Sequence, residues 1–600
     1  MTRRPQGQPA VLGRDVRKEF RRETGETIVA LDGVSIEVPH GGLAALVGPD
    51  GAGKTTLIRL IAGLMALDRG TLTVAGIDVE SEPQRVQDCI AYMPQRFGLY
   101  EDLSVRENLD LYASLHGVSQ EQRARRYPEL LQMTDLAPFT GRLAGHLSGG
   151  MKQKLGLACT LIGSPELLLL DEPTVGVDPL SRRELWQIIT RLVREQNLTV
   201  LMSTSYLDEA ERCDRVFVLR NGKLLASGRP KDVTDLAAGR SFEIEPAPGE
   251  PARDLQSRLL DDPAIVDAVP EAGRVHLVRA AQEDRQEAER TPTQFAGLAA
   301  APVEPRFEDA FMLLLRQQTG AGGQSRPVSS IERALPFARD ETVIDVRDLV
   351  RKFGAFTAVD HIGFQVRRGE IFGLLGPNGA GKTTTFRMLC GLLSASAGTL
   401  RVAGFDLRTA RASARQHIGY VAQKFSLYGQ LSVAENLDFF ASAYGLRGPR
   451  KRERIDWALT QFELAPLVHL PSGQLPGGYK QRLAMATALL HAPEILFLDE
   501  PTSGADPLAR REFWQRITQL SERRVTVVVT THFMEEAEYC DRVAILDAGR
   551  LLAEGTPAAI RGRATADGAR RPTMEDSFIA IVEKARERTA AAAAPPNGAS

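Results

Sequence analysis

The sequence predicts an α/β protein in which one domain with a parallel-sheet core is written twice. Three observations lead to this fold class: a glycine-rich loop between a strand and a helix, its recurrence 328 residues further along, and a length of 600 residues. A chain of this length exceeds what a single hydrophobic core organises, so two domains with additions are expected.

The glycine-rich loop at residues 376–384 reads Gly-Pro-Asn-Gly-Ala-Gly-Lys-Thr-Thr and follows a short apolar run, as a buried strand would. It matches G-x-x-x-x-G-K-[ST], in which backbone N–H groups cradle phosphates, the lysine reaches the β- and γ-phosphates, and the hydroxyl binds magnesium. The loop at residues 48–56 repeats the pattern. The predicted phosphate-binding residues are Gly48, Asp50, Gly51, Gly53, Lys54, Thr55 and Thr56 in the first copy and Gly376, Asn378, Gly379, Gly381, Lys382, Thr383 and Thr384 in the second.

Strand-like segments at residues 11–38 precede the first loop, and a helix is predicted over 54–64 because its apolar residues fall on one face. The phosphate site would then lie at the N-terminus of this helix. Phe20 lies in the strand region, and Phe353 holds the matching place before the second loop. Either aromatic could stack on an adenine ring or pack into the core.

A glutamine follows a strand-like segment in each copy, at Gln95 and Gln423. Each lies 41 residues after the loop lysine, and this fixed distance indicates a role in the site. Helical periodicity then dominates to about residue 147, which predicts a helical insert in the α/β core.

The insert ends at Ser148, Gly149 and Gly150, a cap-like serine and two glycines that open a helix and offer a second anion site. An apolar strand follows and ends in Asp171 and Glu172. The aspartate can hold magnesium through water, and the glutamate can orient or deprotonate an attacking water. The same 328-residue step relates Gly150, Asp171 and Glu172 to Gly478, Asp499 and Glu500 in the second copy.

These motifs, with the Gly-x-Asp-Pro turns at 176–179 and 504–507, resemble the ATP-binding cassette ATPase family over about residues 11–230 and 341–560. The resemblance implies P-loop cassettes, each with an N-terminal antiparallel sheet and a helical subdomain, that pair head to tail around two ATP molecules with Mg2+. One site would combine Lys382, Thr383, Gln423, Asp499, Glu500 and His532 with Ser148, Gly149 and Gly150 of the other copy. The implied magnesium ligands are Thr383, Gln423 and Asp499 in this site and Thr55, Gln95 and Asp171 in the other.

The site around Lys54 departs from the family pattern twice. Ser205 stands where the second copy has His532, and Pro476 stands before Gly477 and Gly478 where the first copy has serine. Proline lacks both a hydroxyl and a backbone N–H, and losing one such donor typically costs about 100- to 1,000-fold in rate. We therefore predict that the Lys382 site hydrolyses ATP and that the Lys54 site mainly binds it. Because Glu172 is present, hydrolysis at both sites stays the alternative.

Composition narrows the partners. The chain has 74 basic and 76 acidic residues, which gives no global charge argument for nucleic acid or an anionic surface. Its five cysteines are far apart in the sequence and contain no C-x-x-C pair, so neither disulfides nor structural zinc are expected. This cysteine usage fits a protein of the reducing cytosol. No run approaches the roughly 20 apolar residues of a spanning helix, and no apolar stretch follows the basic start. A membrane role would come through permease partners, with the protein cytoplasmic and peripheral on the inner face of the membrane.

The remaining segments predict additions to the two copies. The division is a flexible N-terminus (1–10), a first cassette (11–234), an accessory α+β extension (235–318), a linker (319–340), a second cassette (341–560), a short C-terminal extension (561–588) and a disordered tail (589–600). Both extensions contain a Glu-Asp-x-Phe helix, at residues 308–311 and 575–578, which resembles those that end the ATPase subunits of bacterial drug exporters.

The resemblance implies the fused ATP-binding subunit of a multidrug exporter, with one copy serving two membrane halves. A ribosome-bound translation factor with fused cassettes is one alternative, but it should carry a long basic helical linker, whereas residues 235–340 are broken by Pro and Gly and are rich in acids. A fused importer ATPase is another, in which we would expect the second cassette to be the impaired one. A DNA-repair cassette protein would contain zinc-binding clusters of cysteines, and the five separated cysteines of this sequence form none.

Overall fold

The structure is a computed structural model that describes residues 8–21, 27–95, 98–281, 294–295, 297–319, 341–563 and 572–593. Most of the predicted linker and most of the predicted N-terminus and tail lie outside these residues. Where the two predicted flexible ends are described, they join regular structure. Ala10 hydrogen-bonds through its backbone to Val38 at 2.8 Å, and the last helix continues through Ala593, five residues beyond the predicted boundary at 588.

The first cassette contains two sheets. Their strands are β1 Val11–Arg21, β2 Thr27–Val38, β3 Leu43–Val47, β4 Arg69–Val74, β5 Ile77–Asp78, β6 Ile90–Met93, β7 Leu167–Asp171, β8 Thr199–Thr204, β9 Arg215–Arg220 and β10 Lys223–Gly228. The antiparallel sheet has the order β2-β1-β4-β5, and the core sheet has the order β10-β9-β3-β8-β7-β6. In the core sheet, β3 pairs in parallel with both β8 and β9, and only the edge strand β10 is antiparallel.

The helices of the first cassette are Lys54–Ile61, Pro83–Cys89, Val105–Leu115, Gln120–Met133, Gly149–Thr160, Pro179–Gln196, Leu207–Ala210 and Pro230–Thr234. The predicted helical insert contains two α-helices and two short 3-10 helices. Both α-helices begin with a capping box, at Ser104 with Glu107 and at Ser119 with Gln122. Each cap supplies oxygen acceptors for N–H groups that the first turn leaves unpaired.

The extension after the first cassette is a separate small module with its own apolar core. It contains the strands β11 Ser241–Ile244, β12 Ile265–Glu271, β13 Arg274–Arg279, β14 Gln294–Phe295 and β15 Leu298–Pro302 and the helices Ala252–Leu260 and Phe307–Thr319. The strand order is β12-β13-β11-β15-β14, and all pairs are antiparallel. Phe307 and Phe311 lie in the core of the first cassette and anchor the module to it.

The second cassette repeats the first. Its strands are β16 Thr342–Phe353, β17 Phe356–Arg367, β18 Ile371–Leu375, β19 Ala397–Val402, β20 Phe405–Asp406, β21 Ile418–Val421, β22 Ile495–Asp499, β23 Thr526–Thr531, β24 Arg542–Asp547 and β25 Arg550–Gly555. Its helices are Lys382–Leu389, Arg411–Arg415, Val433–Ala443, Gly448–Gln461, Gly477–Leu489, Pro507–Glu522 and Pro557–Arg561, followed by Met574–Ala593 in the C-terminal extension. The two sheets again have the orders β17-β16-β19-β20 and β21-β22-β23-β18-β24-β25.

Each extension contacts the opposite cassette. From the first extension, Arg253 pairs with Asp541 at 2.8 Å, and Asp267 lies 3.3 Å from Arg511. From the C-terminal helix, Glu575 lies 3.1 Å from Arg182 of the first cassette. Both cassettes are therefore held by additions from the other half of the chain.

Candidate functional site

The two glycine-rich loops connect β3 and β18 to the helices Lys54–Ile61 and Lys382–Leu389. In parallel α/β sheets, sites form at the carboxyl ends of the strands, where these loops lie. Gly53 and Gly381 adopt left-handed φ angles of 101° and 93° as N-caps. A Cβ at either position would lie 2.6 Å from a carbonyl oxygen, of Ala30 or Ala358, so only glycine allows this close approach.

Both loop lysines are buried and fold back over their own loops. Lys54 Nζ donates to the carbonyl of Gly48 at 2.6 Å, and Lys382 Nζ donates to that of Gly376 at the same distance. Space is open beside Gly51 and Gly379, while Thr56 and Thr384 lie half-buried on the first helical turns. Free helical N–H groups beside a buried ammonium suit an anionic phosphate chain.

At the carboxyl end of β7 in the first cassette, the predicted acids meet the loop. The Thr55 hydroxyl donates to Oδ1 of Asp171 at 3.0 Å, which brings together two oxygen ligands of the kind that magnesium prefers. Gln95 donates to Glu172 at 3.1 Å, and the Lys54 ammonium lies 3.3 Å from the same carboxylate.

The second cassette places the corresponding glutamine and lysine beside its own glutamate. Gln423 donates to Glu500 at 2.8 Å, and Lys382 Nζ lies 3.7 Å from that carboxylate. The neighbouring Asp499 accepts a hydrogen bond of 2.6 Å from Thr530. Thr383 is half-buried on the first helical turn.

Both glutamates hold strained backbone conformations. Glu172 and Glu500 have φ angles of 49° and 46°, in the left-handed region that non-glycine residues rarely adopt. Such strain costs on the order of 1–3 kcal/mol and concentrates at functional sites. Its occurrence at the same position in both cassettes indicates that the fold holds each carboxylate in place.

The two sites differ in what faces the glutamate. His532 is buried, and its Nδ1 lies 3.2 Å from Oε2 of Glu500. Burial alone would raise the pKa of Glu500, but the contact with His532 and the charge of Lys382 outweigh burial and lower it. In the first cassette, the buried Ser205 hydroxyl donates to Oε1 of Glu172 at 2.9 Å. A neutral hydroxyl thus replaces the imidazole beside that carboxylate.

The glycine pairs after the helical inserts begin the helices Gly149–Thr160 and Gly477–Leu489. Ser148 caps the first helix by accepting a hydrogen bond of 3.3 Å from the Met151 N–H. Pro476 occupies the N-cap of the second helix and makes no side-chain cap hydrogen bond.

The cassettes face each other head to tail. Asn378, in the second phosphate loop, donates to the carbonyl of Gly176 in the first cassette at 3.2 Å, and a Cβ at Gly149 would lie 3.4 Å from its Nδ2. The reciprocal loop places Oδ2 of Asp50 3.4 Å from a Cβ at Gly477. Each phosphate loop therefore lies against the glycine pair of the opposite cassette, as the resemblance implied.

Comparisons with known proteins decide the family. The family profile described as ABC transporter matches residues 31–175 and 359–503. The Probable multidrug ABC transporter ATP-binding protein YbhF of Escherichia coli (strain K12) is 51% identical over 547 residues, which cover 90% of this chain and 93% of that protein. The chain belongs to the ABC transporter ATPases.

Two further relatives show the range of the similarity. The Nod factor export ATP-binding protein I of Ralstonia nicotianae is 42% identical over 216 residues, or 36% of this chain and 67% of that protein. The Putative ABC transporter ATP-binding protein BL0043 of Bifidobacterium longum is 29% identical over 563 residues, or 88% of this chain and 64% of that protein. The tandem arrangement of two ABC ATPase domains and the predicted fold class are confirmed. Within the described ranges, no helix is both long and apolar enough to cross a bilayer.

The two strand aromatics of this ABC ATPase lie on the surface. Phe20 is 38% exposed and Phe353 is 47% exposed, so the interpretation that they pack in the core is wrong. Lys18 and Arg351 lie over their rings, with 5.7 and 4.5 Å to the ring centroids. Adenine stacking on either ring stays a prediction.

The structure also reveals contacts of this ABC ATPase that the sequence analysis missed. Tyr206 and Phe533, each directly after the Ser205 or His532 position, meet across the two cassettes with ring centroids 5.6 Å apart. Arg510 lies over the Phe533 ring at 4.4 Å. The sequence signal was available, since an aromatic residue follows the same position in both copies.

Proposed function

We propose that this ABC ATPase powers export of drugs or other hydrophobic compounds through separate membrane permeases, with hydrolysis at the Lys382 site and mainly binding at the Lys54 site. The single observation that carries the asymmetry is the replacement of His532 by Ser205 beside otherwise equivalent glutamates. ATP binding would close the two cassettes, and hydrolysis would reopen them and reset the permease.

In the proposed mechanism, the second cassette supplies the reacting groups. Glu500, held by Gln423 and kept ionised beside His532, takes the proton of the attacking water. His532 stabilises charge that develops on the γ-phosphate, and Ser148 with its glycines completes the site from the first cassette. When Mg2+ is bound, it offsets the phosphate charges, and Thr383, Gln423 and Asp499 would hold it.

At the Lys54 site, Lys54 and the phosphate loop would bind ATP, while Thr55, Gln95 and Asp171 would hold Mg2+. Ser205 supplies no positive charge to a developing phosphate charge, and Pro476 supplies no N–H or hydroxyl from the opposite cassette. Glu172 is in place, but the site around it lacks the groups that would stabilise charge on the phosphate in the transition state, whereas the site around Glu500 has them. This supports a site that closes on ATP and turns it over slowly.

The names of the relatives support the transport role, since one is called a multidrug ABC transporter ATP-binding protein and another a Nod factor export ATP-binding protein. Export by this chain, two permease halves for each copy and attachment to the inner face of the membrane are part of the proposal. The extensions that reach across to the opposite cassette support pairing of the two cassettes within one chain.

The test is ATP turnover of Glu500→Gln beside its matched variant Glu172→Gln, with the permease co-expressed in membranes. Both changes keep the side-chain volume and remove the base, so they differ only in the site affected. We expect Glu500→Gln to abolish turnover and Glu172→Gln to leave most of it. Equal loss in both variants would overturn the asymmetric assignment.

A further inference from the structure

Equivalent positions of the two phosphate loops carry different side chains, Asn378 and Asp50, and both face the opposite cassette. The Asn378 amide is half-buried and donates to the Gly176 carbonyl, in the turn before the helix Pro179–Gln196. Asp50 is exposed overall, and its carboxyl oxygen lies beside Gly477. The same place in the fold is thus more tightly covered at the Lys382 site.

The chemistry of the two contacts is opposite. An amide carries hydrogens to donate, whereas an ionised carboxylate only accepts. At the Lys54 site, the hydrogen bond across the cassettes comes from the backbone N–H of Asp50, which donates to Oδ2 of Asp506 at 3.1 Å. The carboxylates of Asp50 and Asp506 therefore lie close together at the interface between the two cassettes. Like charges that meet at an interface oppose its closure.

We propose that Asp50 is a positioning residue whose ionised carboxylate weakens closure of the opposite cassette over the Lys54 site, and whose protonation strengthens it. This inference rests on one part of the proposed function, namely that ATP binding closes the two cassettes around the Lys54 site. It adds that the two sites respond differently to pH, because Asn378 makes its contact through a group that does not titrate.

The charged groups around Asp50 support this direction. Lys54 and Glu172 of the same cassette and Asp506 of the other cassette interact electrostatically with Asp50. The positive charge of Arg220 in turn interacts with Asp506. Although the residue remains accessible to solvent, desolvation of the carboxyl raises the pKa of Asp50 to about 6, Lys54 opposes the rise, and Asp506 and Glu172 add to it. A carboxyl whose pKa is raised in the closed state opposes closure above that pKa, and the opposition is relieved as the pH falls through it.

The experiment measures binding of AMP-PNP, a non-hydrolysable ATP analogue, to the full chain by calorimetry between pH 5.5 and 7.5. Lys382→Ala disables the other site, so that the Lys54 site is measured alone, with and without Asp50→Asn. A group with a pKa of about 6 is about three-quarters protonated at pH 5.5 and a few per cent protonated at pH 7.5. With an ordinary carboxyl pKa when the cassettes are apart and a pKa of about 6 when they are closed, the affinity ratio of Asp50→Asn to its parent should fall from pH 7.5 to pH 5.5 by at most about fourfold, because solvent screens an exposed carboxyl.

The ratio cancels protonation of the nucleotide itself, which is common to both chains. The matched control is Asn378→Asp in a Lys54→Ala chain, which should give the Lys382 site the same pH dependence. Asparagine is the native residue at the equivalent position, so Asp50→Asn is compatible with the loop. A ratio that stays constant across this pH range would overturn the proposal. Because the analogue is not split, this outcome is independent of which site hydrolyses ATP.

Discussion

At the scale of residues, the two glutamates share a backbone conformation but have different partners. Gln423 and His532 face Glu500, whereas Gln95 and the Ser205 hydroxyl face Glu172. A base must be ionised to accept a proton, so the group that keeps its pKa low also fixes the pH range in which it works.

Replacing His532 by alanine tests this dependence. We expect turnover to fall by about 100-fold, since one charge-stabilising donor is lost. We also expect the acid limb of the pH–rate profile to move to higher pH. In the unaltered chain His532 offsets the burial that would raise the pKa of Glu500, and the variant lacks this contact. Activity that depends on ionised Glu500 is lost as the pH falls through its pKa, and this pKa rises in the variant. The measurement is residual ATP turnover of the full chain between pH 4.5 and 8.

Ser205→Ala is the matched control for this prediction, because it removes the equivalent side chain from the other site. Its acid limb should coincide with that of the unaltered chain. An acid limb that stays in place in His532→Ala would contradict the assigned role, even if turnover fell.

The sequence predicted which residues would line the sites but not which atoms would meet. That Ser205 reaches Glu172 depends on the register of β7 against β8, where Asp171 pairs with Ser203. The difference between Asp50 and Asn378 is apparent when the sequences of the two phosphate loops are aligned. Its meaning became apparent only with Asp506 and Gly176 beside them, since both come from the opposite cassette.

At the scale of elements, periodicity predicted helices well and their ends less well. The helix predicted over residues 54–64 ends at Ile61, because Ala62 forms its C-cap and Gly63 turns left-handed with φ 64°. Leu64, expected on the buried face, is 52% exposed. The Ala-Gly pair was a stop signal that the apolar spacing outweighed.

The N-cap serine tests the asymmetry between the two helices that begin at glycine pairs. Pro476→Ser should stabilise the helix Gly477–Leu489 by about 1 kcal/mol, because serine supplies a cap acceptor that proline lacks. Slower hydrogen exchange in that helix is the measurement. The reverse change, Ser148→Pro, should speed exchange in Gly149–Thr160 and lower turnover, because Ser148 belongs to the hydrolytic site proposed here. Equal turnover in Ser148→Pro and the unaltered chain would contradict that placement.

At the scale of the whole molecule, the repeat predicted two cassettes, and the family resemblance implied that they pair. It did not predict that the extensions cross to the opposite cassette. The contacts join Arg511 to Asp267 and to Glu308, residues more than 200 positions away along the chain, and no periodicity relates such distant charges. The corresponding residue of the first cassette, Arg183, pairs with Glu583 of the C-terminal helix, and these side chains are 44% and 47% exposed.

Arg511→Ala tests whether the buried contact holds the cassettes together. Arg511 and Asp267 are 14% and 7% exposed at their side chains, so removing the arginine leaves a buried carboxylate without its cation. Such a loss typically costs about 3–5 kcal/mol, whereas an exposed pair such as Arg183 with Glu583 contributes at most about 1 kcal/mol. We therefore expect Arg511→Ala to speed hydrogen exchange in Ala252–Leu260 and Pro507–Glu522 in the nucleotide-free chain, and Arg183→Ala to leave exchange nearly unchanged. Similar exchange in both variants would mean that apolar packing of the extension, and not its buried charges, joins it to the second cassette.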